Sequence, residues 1–316
     1  MEPWIWIVIA IVLILLIFVG LVSFKLAYAL YHPIRYDENA TRETENERSP
    51  GLMALYDGWQ KNNYFLTTRN GYDIHVIELM ENTSSNQFVV IAHGYTYTHH
   101  GALKYAKMFL ELGFRVVMFD ERFHGKSGGD NCTLGGKEQF DLEDVITNVF
   151  QRYGNDIHVA TFGESMGAVT ALLEQTHDDR LEFVGADCGF SDLTLMSSQQ
   201  LQKKLHLPPW PFVPLGGWIF SLVTGVRFEE VSPIEAVKKA KVPLFFAHGE
   251  ADRFVRPMHS ERMAAAATVP HTLFIGKNGA KHAMSARVDE EHYFQALSTF
   301  LKEHTNWLGG TTDETK

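Results

Sequence analysis

The chain has 316 residues, 45% hydrophobic, 12% aromatic and 21% charged, which suits one large α/β domain or two small ones and excludes a disordered chain. Its 28 basic and 38 acidic residues give a formal net charge of −10 at pH 7, a poor match for a phosphate-tracking surface, so no nucleic-acid partner is expected. The two cysteines, Cys132 and Cys188, allow at most one disulfide and no cysteine-rich metal site; both are expected as small buried thiols.

The first element in chain order is the run from Trp4 to Phe24, 21 residues without a charge. A helix of that length covers about 30 Å, the thickness of a bilayer's hydrocarbon core, and Trp4 and Trp6 stand where interfacial aromatics are favoured. Residues 1–30 are therefore read as a transmembrane anchor with its span over 4–24. A cleaved signal peptide is the competing reading. Ala27-Tyr28-Ala29 resembles a cleavage site, but Met1-Glu2-Pro3 has no Lys or Arg and the apolar run exceeds the usual length of about 7–15 residues. Lys25, Arg35 and Arg42 all follow the run while Glu2 precedes it, which by the positive-inside rule favours the cytoplasmic side of a cell membrane for the main domain, with an exported domain the alternative. Residues 31–50 are polar, mixed in charge and without apolar periodicity, and read as a solvated tether. The folded domain is expected over 51–306, with a flexible tail at 307–316.

Two β-like runs, 64–68 and 73–79, flank Arg69-Asn70-Gly71, where Asn-Gly is a strong hairpin signal. After them, short apolar runs at 88–92, 115–119, 158–161, 183–186, 244–247 and 272–275 alternate with helical stretches near 99–112, 137–153, 166–177, 258–267 and 283–303. Buried strands separated by helices predict an α/β domain, with a mostly parallel, doubly wound sheet and an antiparallel lead-in. Between 193 and 231 the alternation stops, and Pro208-Pro209-Trp210-Pro211, Gly216-Gly217 and many large apolar residues appear. An insertion of this size reads as a small functional cap; a pair of ordinary packing helices is the alternative.

Gly163-Glu164-Ser165-Met166-Gly167 follows one of these strands and precedes a helix. In that setting G-x-S-x-G describes a nucleophile elbow, a tight turn that points the serine Oγ above the sheet at a helix N-terminus. A serine hydroxyl is a weak nucleophile at neutral pH and needs a histidine base oriented by a carboxylate. With 15 histidines in the chain, position must decide, and His282 lies beyond the last strand and before the final helix. His259, His271, His292 and His304 do not lie beyond the C-terminal end of a strand. The acid is assigned to Asp252, past the strand 244–247, with Asp187 the main rival and Glu250 too near the strand end. The oxyanion donors are expected to be the backbone N–H groups of Met166, after the nucleophile, and Tyr95, in the loop His93-Gly94-Tyr95-Thr96.

These residues resemble the α/β-hydrolase superfamily, in particular its branch of serine aminopeptidase-like hydrolases that includes monoacylglycerol lipases and small carboxylesterases. The likeness covers most of residues 60–305. It rests on His93-Gly94, on the D-x-R-x-x-G-x-S turn from Asp120 to Ser127, on the elbow, and on the segments holding Asp252 and His282. In the family the turn is structural, so Arg122 and His124 receive no catalytic role. A membrane span departs from soluble members, and Asn278-Gly279-Ala280-Lys281-His282 departs from their tighter glycine-rich approach to the histidine.

The resemblance implies an α/β-hydrolase fold and a serine hydrolase acting through an acyl-enzyme, with Ser165, His282 and Asp252 as the triad. Its expected partners are a small-molecule ester or lipid substrate and, through the N-terminal helix, a membrane. No metal or organic cofactor is expected, because no histidine or acidic spacing resembles a ligand cluster; His99 and His100 are adjacent at a helix start, where successive side chains diverge. A peptidase of the same fold would need cap carboxylates for the substrate amine, and Glu229 and Glu230 are the candidates. A catalytically silent, membrane-tethered binding protein is the reading from another class. The Trp210, Phe212, Trp218, Ile219, Phe220 and Leu222 side chains of the cap offer apolar surface for an acyl chain.

Overall fold

A computed structural model of the chain describes residues 2–305 and Trp307. The chain opens with α1 (Pro3–Tyr31), α2 (Glu38–Arg48) and α3 (Leu52–Gly58). Eight strands follow: β1 (Lys61–Thr67), β2 (Asp73–Leu79), β3 (Gln87–Ala92), β4 (Arg115–Phe119), β5 (His158–Glu164), β6 (Leu181–Asp187), β7 (Leu244–Gly249) and β8 (His271–Gly276). They form one sheet in the order β1-β2-β4-β3-β5-β6-β7-β8. β2 pairs antiparallel with β1 and β4, and the remaining pairs are parallel. Every expected strand is present within three residues at each end.

The helices between and after the strands are α4 (Leu103–Glu111), α5 (Glu138–Tyr153), α6 (Met166–Glu174), α7 (Leu193–Leu205), α8 (Phe212–Thr224), α9 (Pro233–Val237), α10 (Met258–Ala266), α11 (Ser285–Val288) and α12 (Glu290–His304). On one face of the sheet Val89, Ile91, Phe162 and Phe245 pack against Tyr105 and Phe109 of α4 and Phe300 of α12. On the other, Phe88, Val90 and Phe246 pack against Val145 of α5, Leu172 of α6 and Met263 of α10. Strands covered on both faces are apolar at successive positions, which is why their sequences do not alternate. The helix expected over 283–303 is broken at Asp289, whose carboxylate accepts from the Lys277 N–H at 3.1 Å and from the His292 Nδ1–H at 2.7 Å.

Residues 31–50 are not a solvated tether. Asp37 caps α2 by accepting from the Ala40 N–H at 2.8 Å. The buried Thr41 hydroxyl bonds the Thr98 hydroxyl at 2.8 Å and His100 Nδ1 at 3.0 Å. Glu45 is buried in an ion pair with Arg287 and accepts from the Tyr97 hydroxyl at 3.0 Å. The helix docks through hydrogen bonds and charge, so its contact face carries no apolar period to read in the sequence. The boundaries expected at residue 30 and at 307 also shift. α1 continues past Phe24 to Tyr31 with Ser23 and Ala27 buried. Trp307 is buried against Phe114 and Phe183, at ring distances of 5.0 and 5.2 Å. The rest of the expected tail, 308–316, lies outside the described residues.

Removing one member of a buried ion pair leaves the other charge uncompensated and costs about 3–5 kcal/mol. The Glu45 and Arg287 side chains are 1% and 4% exposed, so Glu45→Ala is expected to destabilise by that order. It should also release α2, read as new proteolytic cleavage within residues 38–48; an unchanged digestion pattern contradicts the docking.

Candidate active site

β5 delivers the chain to the C-terminal edge of the sheet, where Ser165 makes the turn into α6 with φ 55° and ψ −109°. Positive φ in a non-glycine residue is strained and persists only where its surroundings enforce it. Here they do. A Cβ on Gly163 would stand 2.1 Å from the Gly167 carbonyl oxygen, and one on Gly167 would stand 2.2 Å from the Ala92 carbonyl oxygen. These two glycines let β5, α6 and the end of β3 approach closely enough to hold the turn. The Ser165 N–H is anchored to the Asp187 carbonyl at 2.8 Å.

The three side chains expected to work together meet at this edge. His282 Nε2 lies 2.9 Å from Ser165 Oγ, and His282 Nδ1 lies 2.7 Å from Asp252 Oδ2. Asp252 Oδ1 accepts from the Phe254 and Val255 N–H groups at 2.7 and 3.0 Å. His248 Nε2 stands 3.2 Å from Oδ2. Burial pushes the Asp252 carboxyl up, but hydrogen bonds and charge from His248 and His282 outweigh it and hold it at about 2. Phe254 packs edge-on against the His282 ring at 5.0 Å. Asp252 is thus an ionised, fully bonded carboxylate that orients one nitrogen of the imidazole while the other faces the serine.

Tyr95 and Met166 line the same cavity as Ser165, and among the described residues neither backbone N–H has a hydrogen-bond acceptor. Two buried histidines hold the loop that carries Tyr95. His93 Nε2 accepts the Glu121 N–H at 2.8 Å, so its proton sits on Nδ1 and is donated to the Gly94 carbonyl at 2.8 Å. His124 Nε2 accepts the Thr96 N–H at 3.1 Å and its Nδ1–H is donated to the Arg122 carbonyl at 2.8 Å. Burial lowers both, His93 to about 3, so both are neutral braces. The turn from Asp120 to Ser127 therefore acts on the site at one remove, through His124 and Thr96.

Asp187 stands behind the elbow, bonded through its carboxylate to the Tyr105 hydroxyl at 2.9 Å, and is not the histidine's partner. Glu250 accepts the Gly279 N–H at 3.1 Å and braces the loop that carries His282. Sequence reasoning missed Lys104, which is buried in α4 and pairs with Glu164 directly beside Ser165. Nothing in its spacing marks it, since only the docking of α4 on the end of β5 brings the two together.

His99 and His100 do not diverge as expected: their rings are 4.4 Å apart. His99 joins Glu38, His75 and Asp120 in a group whose ligand atoms lie within 4.8 Å of one another. Asp120 accepts there from His75 Nδ1 and His99 Nδ1, both at 2.9 Å, and from the His99 and Lys126 N–H groups at 2.8 and 3.1 Å. These bonds already account for the carboxylate.

A cavity of about 300 Å³ opens at Ser165. It is walled by Leu134, Met166 and Phe190 of the core domain, by Met196 and Leu201 of α7, and by Val22, Leu26, Ala29 and Leu30 of α1. Among the described residues no carboxylate lines it, and Glu229 lies in a separate depression beside Trp218. The Tyr95 hydroxyl donates to the Ala29 carbonyl, so α1 also touches the loop beside the serine.

Residues 83–186 match the family described as serine aminopeptidase, S33. The uncharacterized protein YqkD of Bacillus subtilis is 32% identical over 262 residues, spanning 82% of this chain and 85% of that protein. The Pyrococcus furiosus esterase Pf2001 superposes with a TM-score of 0.66 at 23% identity, over 89% of this chain and 99% of that one. A Xanthomonas campestris protein described as an α/β serine hydrolase without lid does so with a TM-score of 0.54 at 16% identity, over 77% and 94%. At these identities the structural likeness is one of fold.

An Asp whose folded pKa lies near 2, below its unfolded value of about 3.9, contributes stability that is complete above pH ~4 and lost as pH falls toward 2, about 2–3 kcal/mol in all. The stability advantage of the unaltered chain over Asp252→Asn should therefore be constant above pH ~4 and shrink below it. Thermal unfolding of both proteins in detergent across that range measures the difference; a constant gap down to pH ~2 contradicts the depressed pKa.

Proposed function

The chain belongs to the α/β-hydrolase superfamily, and from that premise we propose that it is a membrane-anchored serine hydrolase that cleaves carboxylic esters through an acyl-enzyme. The observation that carries the reading is the relay Ser165–His282–Asp252, with 2.9 and 2.7 Å links, at the foot of an apolar cavity. Ser165 Oγ attacks the ester carbonyl as His282 Nε2 takes its proton, and the Tyr95 and Met166 N–H groups bind the oxyanion. Collapse breaks the bond to the alcohol, which leaves with the proton from His282. Water, deprotonated by the same imidazole, then releases the acid and restores the serine.

The apolar lining supports an acyl group over a peptide, because an exopeptidase needs a carboxylate for the substrate amine and the described residues of the cavity wall include none. The assembled relay speaks against a silent binding protein. Retention of α1 as an anchor is supported by its place in the cavity wall, since cleavage after Ala29 would remove Val22 and Leu26 from it.

The test is hydrolysis of a p-nitrophenyl ester series, acetyl to palmitoyl, by the full chain in detergent. Ser165→Ala is expected to lower kcat about a million-fold and Asp252→Asn about ten-thousand-fold, by analogy with other serine hydrolases. Ester hydrolysis that survives Ser165→Ala overturns the reading.

A further inference from the structure

α1 and α8 lie against each other through small residues. Ser23 and Ala27 are the buried positions of α1, one turn apart, and a Cβ on Gly216 of α8 would stand 3.2 Å from the Ser23 carbonyl oxygen and 3.1 Å from Leu26. Close approach through Gly, Ala and Ser is how helices associate in a bilayer, where apolar side chains gain nothing by leaving lipid. Further toward the N-terminus of α1, Phe18 packs edge-on against Phe212 in the first turn of α8, at 5.9 Å. Phe18 stands six residues before Phe24, about 9 Å along the helix, and thus inside the apolar run that ends at Lys25.

α8 carries no charged residue over its length. Its outward stripe is Pro214, Trp218 and Leu222, with Trp218 60% and Leu222 66% exposed, and Trp210 just ahead of the helix is 76% exposed. Such a surface in water is costly, but it is continuous with the exposed apolar flank of α1. Lys25 and Lys204 stand at the rim of the Ser165 cavity, and neither has an ion-pair partner among the described residues. Lys25, where the apolar run of α1 ends, marks the headgroup level of a membrane.

We propose that α1 and α8 form a single membrane-embedded unit, and that the Ser165 cavity, walled on one side by α1, opens into the adjoining leaflet at headgroup level. The occupant of the exposed α8 face is the lipid bilayer. The substrate is then an acyl ester amphiphile resident in the membrane, whose chain enters between α1 and α7 without crossing water. This substrate assignment rests on the serine-esterase reading; the insertion of α8 does not.

The test uses the full chain reconstituted in phosphatidylcholine–phosphatidylglycerol vesicles. Cys132 and Cys188 are fully buried, with thiols pushed up by burial, so an introduced surface cysteine takes the label selectively. An environment-sensitive fluorophore on Trp210→Cys, just ahead of the α8 turn that packs on Phe18, is expected to shift to the blue and to be quenched by lipids with nitroxides on their acyl chains. The same label on Asn155→Cys, at the opposite edge of the sheet, is expected to stay in water. A label at position 210 that is not quenched overturns the insertion; if it is nevertheless shielded from water, a second copy of the chain covers α8. Fluorophosphonate labelling of Ser165 in the same sample shows separately whether the nucleophile stands. For the cavity, Ala29→Trp keeps the carbonyl that Tyr95 uses and narrows the α1 wall. The palmitoyl-to-butyryl ratio of kcat/KM is expected to fall about tenfold; an unchanged ratio removes α1 from the acyl path.

Discussion

The close approach of three backbones at the C-terminal edge of the sheet is the constraint on which the rest of the site depends. β3 and β5 pair so that Ala92 stands opposite Gly163, and the turn at Ser165 is held at positive φ because Gly163 and Gly167 admit neighbouring main chain where a Cβ would collide. That same register sets the loop after β3 beside the serine, where a Cβ on Gly94 would touch Ser165 Cβ at 3.5 Å. Tyr95 and Met166 line the same cavity as Ser165 there. The loops after β7 and β8 supply Asp252 and His282 by reaching back over β6, whose own chain stays low through the Ser165–Asp187 and Cys188–Ala247 backbone bonds.

Around this edge the protein uses buried neutral histidines as fixed two-ended struts. A histidine that accepts from one backbone N–H and donates to another carbonyl holds two loops at a set distance, and burial keeps it uncharged. His93 ties the loop after β3 to Glu121, and His124 ties Thr96 to Arg122. His248 differs, because it faces the Asp252 carboxylate while bonding Ser260 and Val255. Two buried charges of the domain are paired, Lys104 with Glu164 and Arg287 with Glu45.

The amino-terminal segment belongs to this same structure. Arg35 donates to the Gly125 carbonyl at 3.1 Å, the Tyr36 N–H to Thr96 at 3.3 Å, and the Cys132 N–H to Tyr31 at 2.9 Å. With Tyr95 bonded to Ala29, the helix that carries the apolar run is coupled to the loop after β3. That helix and Ser165 thus border one cavity.

The amino-acid sequence by itself determined the strand order of appearance, the doubly wound class, the elbow at Ser165 and the positions of Asp252 and His282. These are local facts: an apolar run between breakers, glycines at fixed offsets, and a polar residue just past a strand end. Tertiary structure alone decided what pairs at long range through polar atoms. Residues 38–48 look solvated because their contacts are Thr41, Glu45 and Asp37, which leave no apolar period, and Lys104 looks like a surface lysine until α4 sets it on Glu164. The grouping of His75, His99 and Asp120 and the inclusion of α1 in the cavity wall were hidden for the same reason. Hydrophobic periodicity reports which face of an element is buried, whereas a hydrogen bond or a shared wall depends on which other element arrives there.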